Sequence, residues 1–128
     1  MRILLDTCSF LWLAGKQATA SRSAREVFAD PDNDVFLSVV SCWEISIKFA
    51  AGRLELPYPP AQFVAEARQR EGVETLPLDE EAALYIRRLP KLHADPFDRM
   101  LICQSIVHGL AILTPDELIT QYPVRTLW

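Results

Sequence analysis

Short aliphatic runs, "RILL", "VFLSVV" and "LAILT", recur along the chain, and longer stretches of helical periodicity separate them. The runs do not alternate polar with apolar residues, so both faces of the strands they form must be covered. Strands separated by helices cannot pair through tight hairpins; they pair through crossovers and lie parallel. The expected fold is therefore α/β, a central parallel sheet flanked by helices on both faces.

Glycine and proline mark the boundaries. All four glycines, Gly15, Gly52, Gly72 and Gly109, follow helix-like stretches, where a left-handed helix end favours a residue without Cβ. Between these marks the pattern predicts strands at 2–6, 35–39, 73–77, 110–114 and 124–127. Helices are expected at 8–14, 22–29, 42–51, 60–71, 79–88, 96–108 and 116–121. "ELPYPP" is a loop, and with no repeat or low-complexity linker, residues 1–128 read as one domain. No glycine is left for a phosphate loop. Neither G-x-G-x-x-G nor G-x-x-x-x-G-K-[ST] occurs, which argues against dinucleotide oxidoreductases and P-loop NTPases.

The composition, 50% hydrophobic and 23% charged, suffices for a core without disulfide staples. Three cysteines, Cys8, Cys42 and Cys103, include no C-x-x-C pair, so neither a zinc site nor an extracellular framework is suggested. They read as small apolar residues packed in helices, and the expected compartment is the reducing cytoplasm. No apolar run reaches the length of a membrane span, and Asp6 interrupts the hydrophobic start, so neither a membrane partner nor export is expected. A net charge of −4 opposes bulk attraction to nucleic acid, yet leaves room for a local basic strip.

Against this background Asp6 is conspicuous: it sits between Ile3–Leu5 and Phe10–Leu13 with no cation beside it. In an open parallel sheet, ligands bind beyond the carboxyl ends of the strands. Three more acids fall at such ends: Glu44 after "VFLSVV", Asp98 in "DPFDRMLICQS" and Asp116 after "AILTP". Each has a local explanation. Ser41 and Glu44 form an S-x-x-E capping box with Lys48 as an i,i+4 partner. Asp95, Pro96 and Asp98 read as N-cap, N1 and N3, and Thr114, Pro115 and Glu117 repeat that pattern.

Capping accounts less well for the four acids together. Asp98 shares a helix face with Leu101, Ile102 and Ser105 and so points inward, Asp6 ends an apolar strand, and Asp116 caps nothing that Thr114 would not. Carboxylates gathered at one sheet edge repel strongly in a half-buried site. A hard divalent cation with oxygen ligands, Mg²⁺ or Mn²⁺, is the economical counter-charge.

At these residues the sequence resembles the PIN-domain ribonucleases, in particular the VapC-type toxins of toxin–antitoxin pairs. "LLDTCSFLWL", "SVVSCWEISIKFAAGRLEL" and "HADPFDRMLICQSIVHGLAILTPDELITQYPVRTLW" match family blocks in order and approximate spacing over nearly the whole chain. The resemblance implies a single PIN-like domain and a Mg²⁺- or Mn²⁺-dependent endoribonuclease, the toxin of a type II pair, hydrolysing RNA with metal-activated water. It assigns Asp6, Glu44, Asp98 and Asp116 as the catalytic, metal-binding quartet. In the matching family block the acid lies four residues before Ile102, which selects Asp98 over Asp95. It further implies a cognate antitoxin covering the pocket, and a homodimer. Cys103 stands where family members commonly carry alanine, which would put an oxidisable thiol near the metal.

With water as nucleophile, no covalent role falls to serine, cysteine or histidine. His93 and His108 lack ligand spacing and are read as surface or packing residues. Thr7, Asp95 and Thr114 are candidate outer partners of the ligands, Asp95 otherwise being the N-cap alone. Lys48 and Arg99 stand beside the cluster, and the residues leave open whether each holds a phosphate or only balances a carboxylate. Trp12 and Trp43 read as core, with base stacking or partner contact as the alternative. Arg22, Arg25, Arg53, Arg68 and Arg70 read as solvated charges on which an RNA path could draw.

Two enzyme rivals fail on the residues. "DTC" lacks the glycine of an aspartic-protease motif, and "LLDTC" lacks the second aspartate of an aspartate-nucleophile phosphatase. The alternative from another class is a catalytically inactive PIN-like module that binds RNA or protein, against which the intact quartet argues.

Overall fold

Strand β1 (Arg2–Leu5) buries Ile3 and Leu5 in one layer of the core and Leu4 in another, as a two-sided strand must. The computed structural model, which describes residues 1–128, continues in chain order with α1 (Thr7–Ala14), α2 (Arg22–Ala29), β2 (Asp34–Ser38), α3 (Val39–Ala50), α4 (Pro60–Glu71) and β3 (Glu74–Leu76). Next come α5 (Glu80–Tyr85), α6 (Pro96–His108), β4 (Ala111–Leu113), α7 (Glu117–Thr120) and β5 (Thr126–Leu127). All pairings are parallel, in the order β3-β2-β1-β4-β5.

The side chains of the strands divide two cores. Ile3, Leu5, Val35, Leu37 and Leu113 pack with Phe10 and Leu13 of α1, Ala24 of α2, Ile45 of α3 and Phe63 of α4. Leu4 packs with Val40, Leu76 and Leu101, and Ile112 with Ile102, Cys103 and Ile119. Burying each large aliphatic side chain is worth roughly 1.5–3 kcal/mol. Truncating the fully buried Leu4 to alanine would cost roughly 2–5 kcal/mol.

The topology positions the site. From β1 the chain builds outward to β2 and β3, then crosses back to β4 on the other side of β1 and on to β5. That reversal opens a crevice at the carboxyl ends of β1 and β4, where Asp6 and Thr114 follow their strands.

The element order is the expected one, with corrections at the ends. α3 begins at Val39, not at residue 42, because Ser38 is its N-cap and accepts from Val40 N at 3.0 Å. Ser41 and Glu44 therefore form no capping box. α5 stops at Tyr85, short of residue 88, and its N-cap Asp79 spends its side chain on His108 instead of the helix end. Gly72 and Gly109 end their helices left-handed, as expected, but Gly15 does not. Its φ is −82°, and the left-handed residue is Lys16 at φ 55°. Gly15 is needed there for room: a Cβ would stand 2.9 Å from the Leu11 carbonyl oxygen.

Candidate active site

Asp6 is the N-cap of α1: its Oδ1 accepts from Ser9 N at 2.8 Å. Its Oδ2 accepts from Thr114 Oγ1 at 2.6 Å, a bond that ties the end of β1 to the end of β4. Only 4% of the residue is exposed, and burial pushes its carboxyl above the usual range against hydrogen bonds from Ser9 and Thr114.

Glu44 lies in the second turn of α3 and is equally buried. Thr7 Oγ1 donates to its Oε1 at 2.7 Å, and Lys48 Nζ pairs with its Oε2. Thr7 has one hydroxyl proton, so Ser41 Oγ, 2.9 Å away, must donate to Thr7. Ser41 thus supports Glu44 through Thr7 instead of capping a helix.

Asp95 caps α6 by accepting from Phe97 N at 2.9 Å and Asp98 N at 3.1 Å. Asp98 points inward as its helix face requires, with Leu101 and Ile102 fully buried beside it on α6. Burial, followed by the negative charge of Asp95, pushes the Asp98 carboxyl up to about 7. Asp116, contrary to expectation, does cap a helix: it is the N-cap of α7, and its Oδ1 accepts from Leu118 N at 2.9 Å. Thr114 Oγ1 accepts from Asp116 N at 3.0 Å, so the threonine serves the turn while the aspartate serves the helix.

Asp6, Glu44, Asp98 and Asp116 line one cavity of about 300 Å³, together with Thr7, Lys48 and Asp95. Thr114 is buried and touches the cavity's chemistry through Asp6. Arg99 is not part of it. One residue on from Asp98 along a helix means a turn of roughly 100°, and Arg99 is buried elsewhere, its Nη2 donating to Leu89 O at 3.4 Å. The thiol beside the site is Cys8, not Cys103, which is buried in the α6 core. Trp12 lines the cavity and meets Trp128 edge-on, but Trp43 is not core: it is 62% exposed, edge-on to Phe97. Arg68 and Arg70 spend donors on backbone carbonyls, at Val73 and Ala14 respectively.

His93 is the residue the sequence reading missed. Its Nε2 lies 3.3 Å from Asp98 Oδ2, with only 6% of its side chain exposed. Nothing local marks it beyond its place just before the α6 N-cap, because its environment comes from residues distant in sequence.

Five carboxylates thus face one lysine, which is already paired with Glu44. Apart from the Cys8 thiol, whose pKa burial and the surrounding acids push up to about 11, the donors lining the cavity are oxygens. This donor set fits a hard divalent ion. No three of the groups stand at the spacing that holds one ion, so the structure offers the donor chemistry without a closed shell. A wider hollow of about 750 Å³, between α5 and α6, has Glu81 as its only acid and offers no comparable chemistry.

The PIN domain family model matches residues 3–124. Ribonuclease VapC16 of Mycobacterium tuberculosis (strain ATCC 25618 / H37Rv) is 36% identical over 62 residues, which is 48% of this chain and 44% of that protein. The chain thus matches less than half the length of that relative. Among solved structures, VapBC2 from Rickettsia felis, bound to a DNA fragment from its promoter, superposes with a TM-score of 0.75 at 13% identity, covering 99% of this chain and 98% of that one. VapBC-5 from Mycobacterium tuberculosis, a member of the VapBC family of toxin–antitoxin systems, superposes with a TM-score of 0.60 at 21% identity over 94% and 89%. At those identities the likeness is one of fold. With all five acids inside matched residues that span nearly the whole chain, the chain belongs to the PIN domain family.

Proposed function

We propose that this chain is a Mg²⁺- or Mn²⁺-dependent endoribonuclease, the toxin of a type II toxin–antitoxin pair, with RNA as substrate, a cognate antitoxin as partner and a homodimer as its assembly. One observation carries the reading: separate segments of a PIN domain deliver five carboxylates and one paired lysine into a single cavity at the sheet's switch point. The partial likeness to a ribonuclease and the fold shared with VapBC proteins support it.

Asp6, Glu44, Asp98 and Asp116 are the residues that would hold the cation. When bound, a divalent ion there supplies Lewis acidity, lowering the pKa of water and neutralising charge on the phosphodiester. The chain supplies orientation. Asp6 is locked by Ser9 N and Thr114 Oγ1, and each of its oxygens keeps a further lone pair. Glu44 is held by Thr7 and Lys48, and Lys48 lines the cavity beside it, a point charge able to meet a phosphate. The acids themselves repel an RNA strand, so substrate and cation must enter as linked events.

The test is end-group analysis of cleaved RNA. Water attack leaves a 5′-phosphate and a free 3′-hydroxyl, EDTA stops the reaction, and a 2′-deoxy substitution at the scissile nucleotide does not. Cleavage in EDTA that yields a 2′,3′-cyclic phosphate would overturn the mechanism and the role given to Asp6.

A further inference from the structure

We infer that Tyr122 and His93 form a positioning pair that sets the Asp98 carboxylate for its cation, an inference that rests on the metal-dependent reading above. Tyr122 Oη accepts from Leu92 N and from His93 N, both at 3.1 Å. A phenol oxygen has two lone pairs and one proton. With both lone pairs engaged, the proton is left for His93 Nδ1, 2.8 Å away. That bond fixes the neutral imidazole with its hydrogen on Nε2, the atom facing Asp98 Oδ2 at 3.3 Å.

Neither ring is free to turn. Tyr122 is 3% exposed, and the two rings pack edge-on with centroids 5.3 Å apart. The helix end does not offer Asp98 an anchor, because Asp95 Oδ1 takes the N–H groups of both Phe97 and Asp98. His93 is therefore the group that orients this carboxylate. As a neutral donor it holds Oδ2 while leaving the negative charge available, whereas Lys48 on Glu44 offsets the charge it holds. The pair thus does for Asp98 what hydrogen-bonded outer partners do for metal-ligating groups generally.

Two substitutions separate orientation from packing. His93→Gln keeps a donor near the Nε2 position; His93→Leu fills the space without one. Titration of Mn²⁺ into the RNA-free protein, followed by calorimetry or electron paramagnetic resonance, should give an affinity about 10–100-fold weaker for His93→Leu. His93→Gln should stay much closer to wild type. Equal affinity in His93→Leu and wild type would overturn the pair while leaving the metal site standing; a wild type that binds no Mn²⁺ would overturn the metal reading itself. A second measurement holds even if His93→Leu fails to fold. The ¹⁵N shifts of the His93 ring in the metal-free wild type should report the Nε2–H tautomer and change in Tyr122→Phe, and an Nδ1–H ring in the wild type would refute the arrangement.

Discussion

Helix α6 has a histidine–aspartate pair at each end, and the pairs behave oppositely. At its start His93 meets Asp98 at 3.3 Å, with 6% and 15% of the side chains exposed; at its finish His108 meets Asp79 at 2.8 Å, with 31% and 36% exposed. The outer contact is the shorter one, and the hydrogen bond from His108 holds the Asp79 carboxyl below its usual range. The inner carboxyl is instead pushed up to about 7, by burial and then by Asp95. Distance does not rank the two. Water solvates the outer charges whether or not they pair, while the inner carboxylate has lost water and gained acidic neighbours.

Substituting each aspartate tests that contrast, and the largest effect is expected on catalysis. Asp98→Asn keeps the shape and removes one charge, so RNA cleavage should fall at least about 100-fold, while Asp79→Asn cleaves like wild type. Retained activity in Asp98→Asn would remove Asp98 from the site, and loss in Asp95→Asn instead would move the ligand one turn toward the helix start.

Metal linkage comes next. At 100 times its dissociation constant, Mg²⁺ or Mn²⁺ should stabilise the wild type by about 2.7 kcal/mol, read as a rise in melting temperature. Asp98→Asn should lose most of that gain and Asp79→Asn none; a wild-type melting curve unmoved by metal would count against a shared cation.

The pH dependence of the metal-free protein should be smaller and of opposite sign at the two ends. The raised Asp98 carboxyl favours the folded state below the unfolded value of 3.8, and that contribution disappears as pH rises through about 7. Melting scans of the wild type should therefore lose stability across this window relative to Asp98→Asn. Parallel curves would mean that burial does not govern this carboxyl.

The lowered Asp79 carboxyl gives the smallest effect. Its contribution is present above the unfolded 3.8 and disappears as pH falls through the lower folded value, so Asp79→Asn should differ slightly from wild type at neutral pH and merge with it in acid. A gap that persists or widens in acid would reverse the assigned sign.

Much of the fold was legible because its signals are local. The apolar runs name β1, β2 and β4, and Gly72 and Gly109 end helices in the left-handed form that glycine tolerates. The four acids were legible as a group because strand ends in a parallel sheet share one edge. Ser38 and Ser41 show where this reading fails. Both precede helical residues and both can cap; the choice fell to Ser38, and Ser41 Oγ found a partner in Thr7, which the sequence does not place near it. Arg99 shows another failure, since its adjacency to Asp98 in sequence becomes separation on a helix.

By itself the sequence determined the alternation of strands and helices, the two-sided burial of the sheet and the set of acids at its edge, all consequences of residue type and short-range spacing. The tertiary structure decided the strand order β3-β2-β1-β4-β5, and with it the bond from Thr114 to Asp6 across 108 positions. It also decided that His93, which nothing in its own segment distinguishes, meets Tyr122 29 residues away and Asp98 together. Periodicity and capping act within a few residues, whereas a buried polar group must find its partner wherever the packed chain brings one within reach.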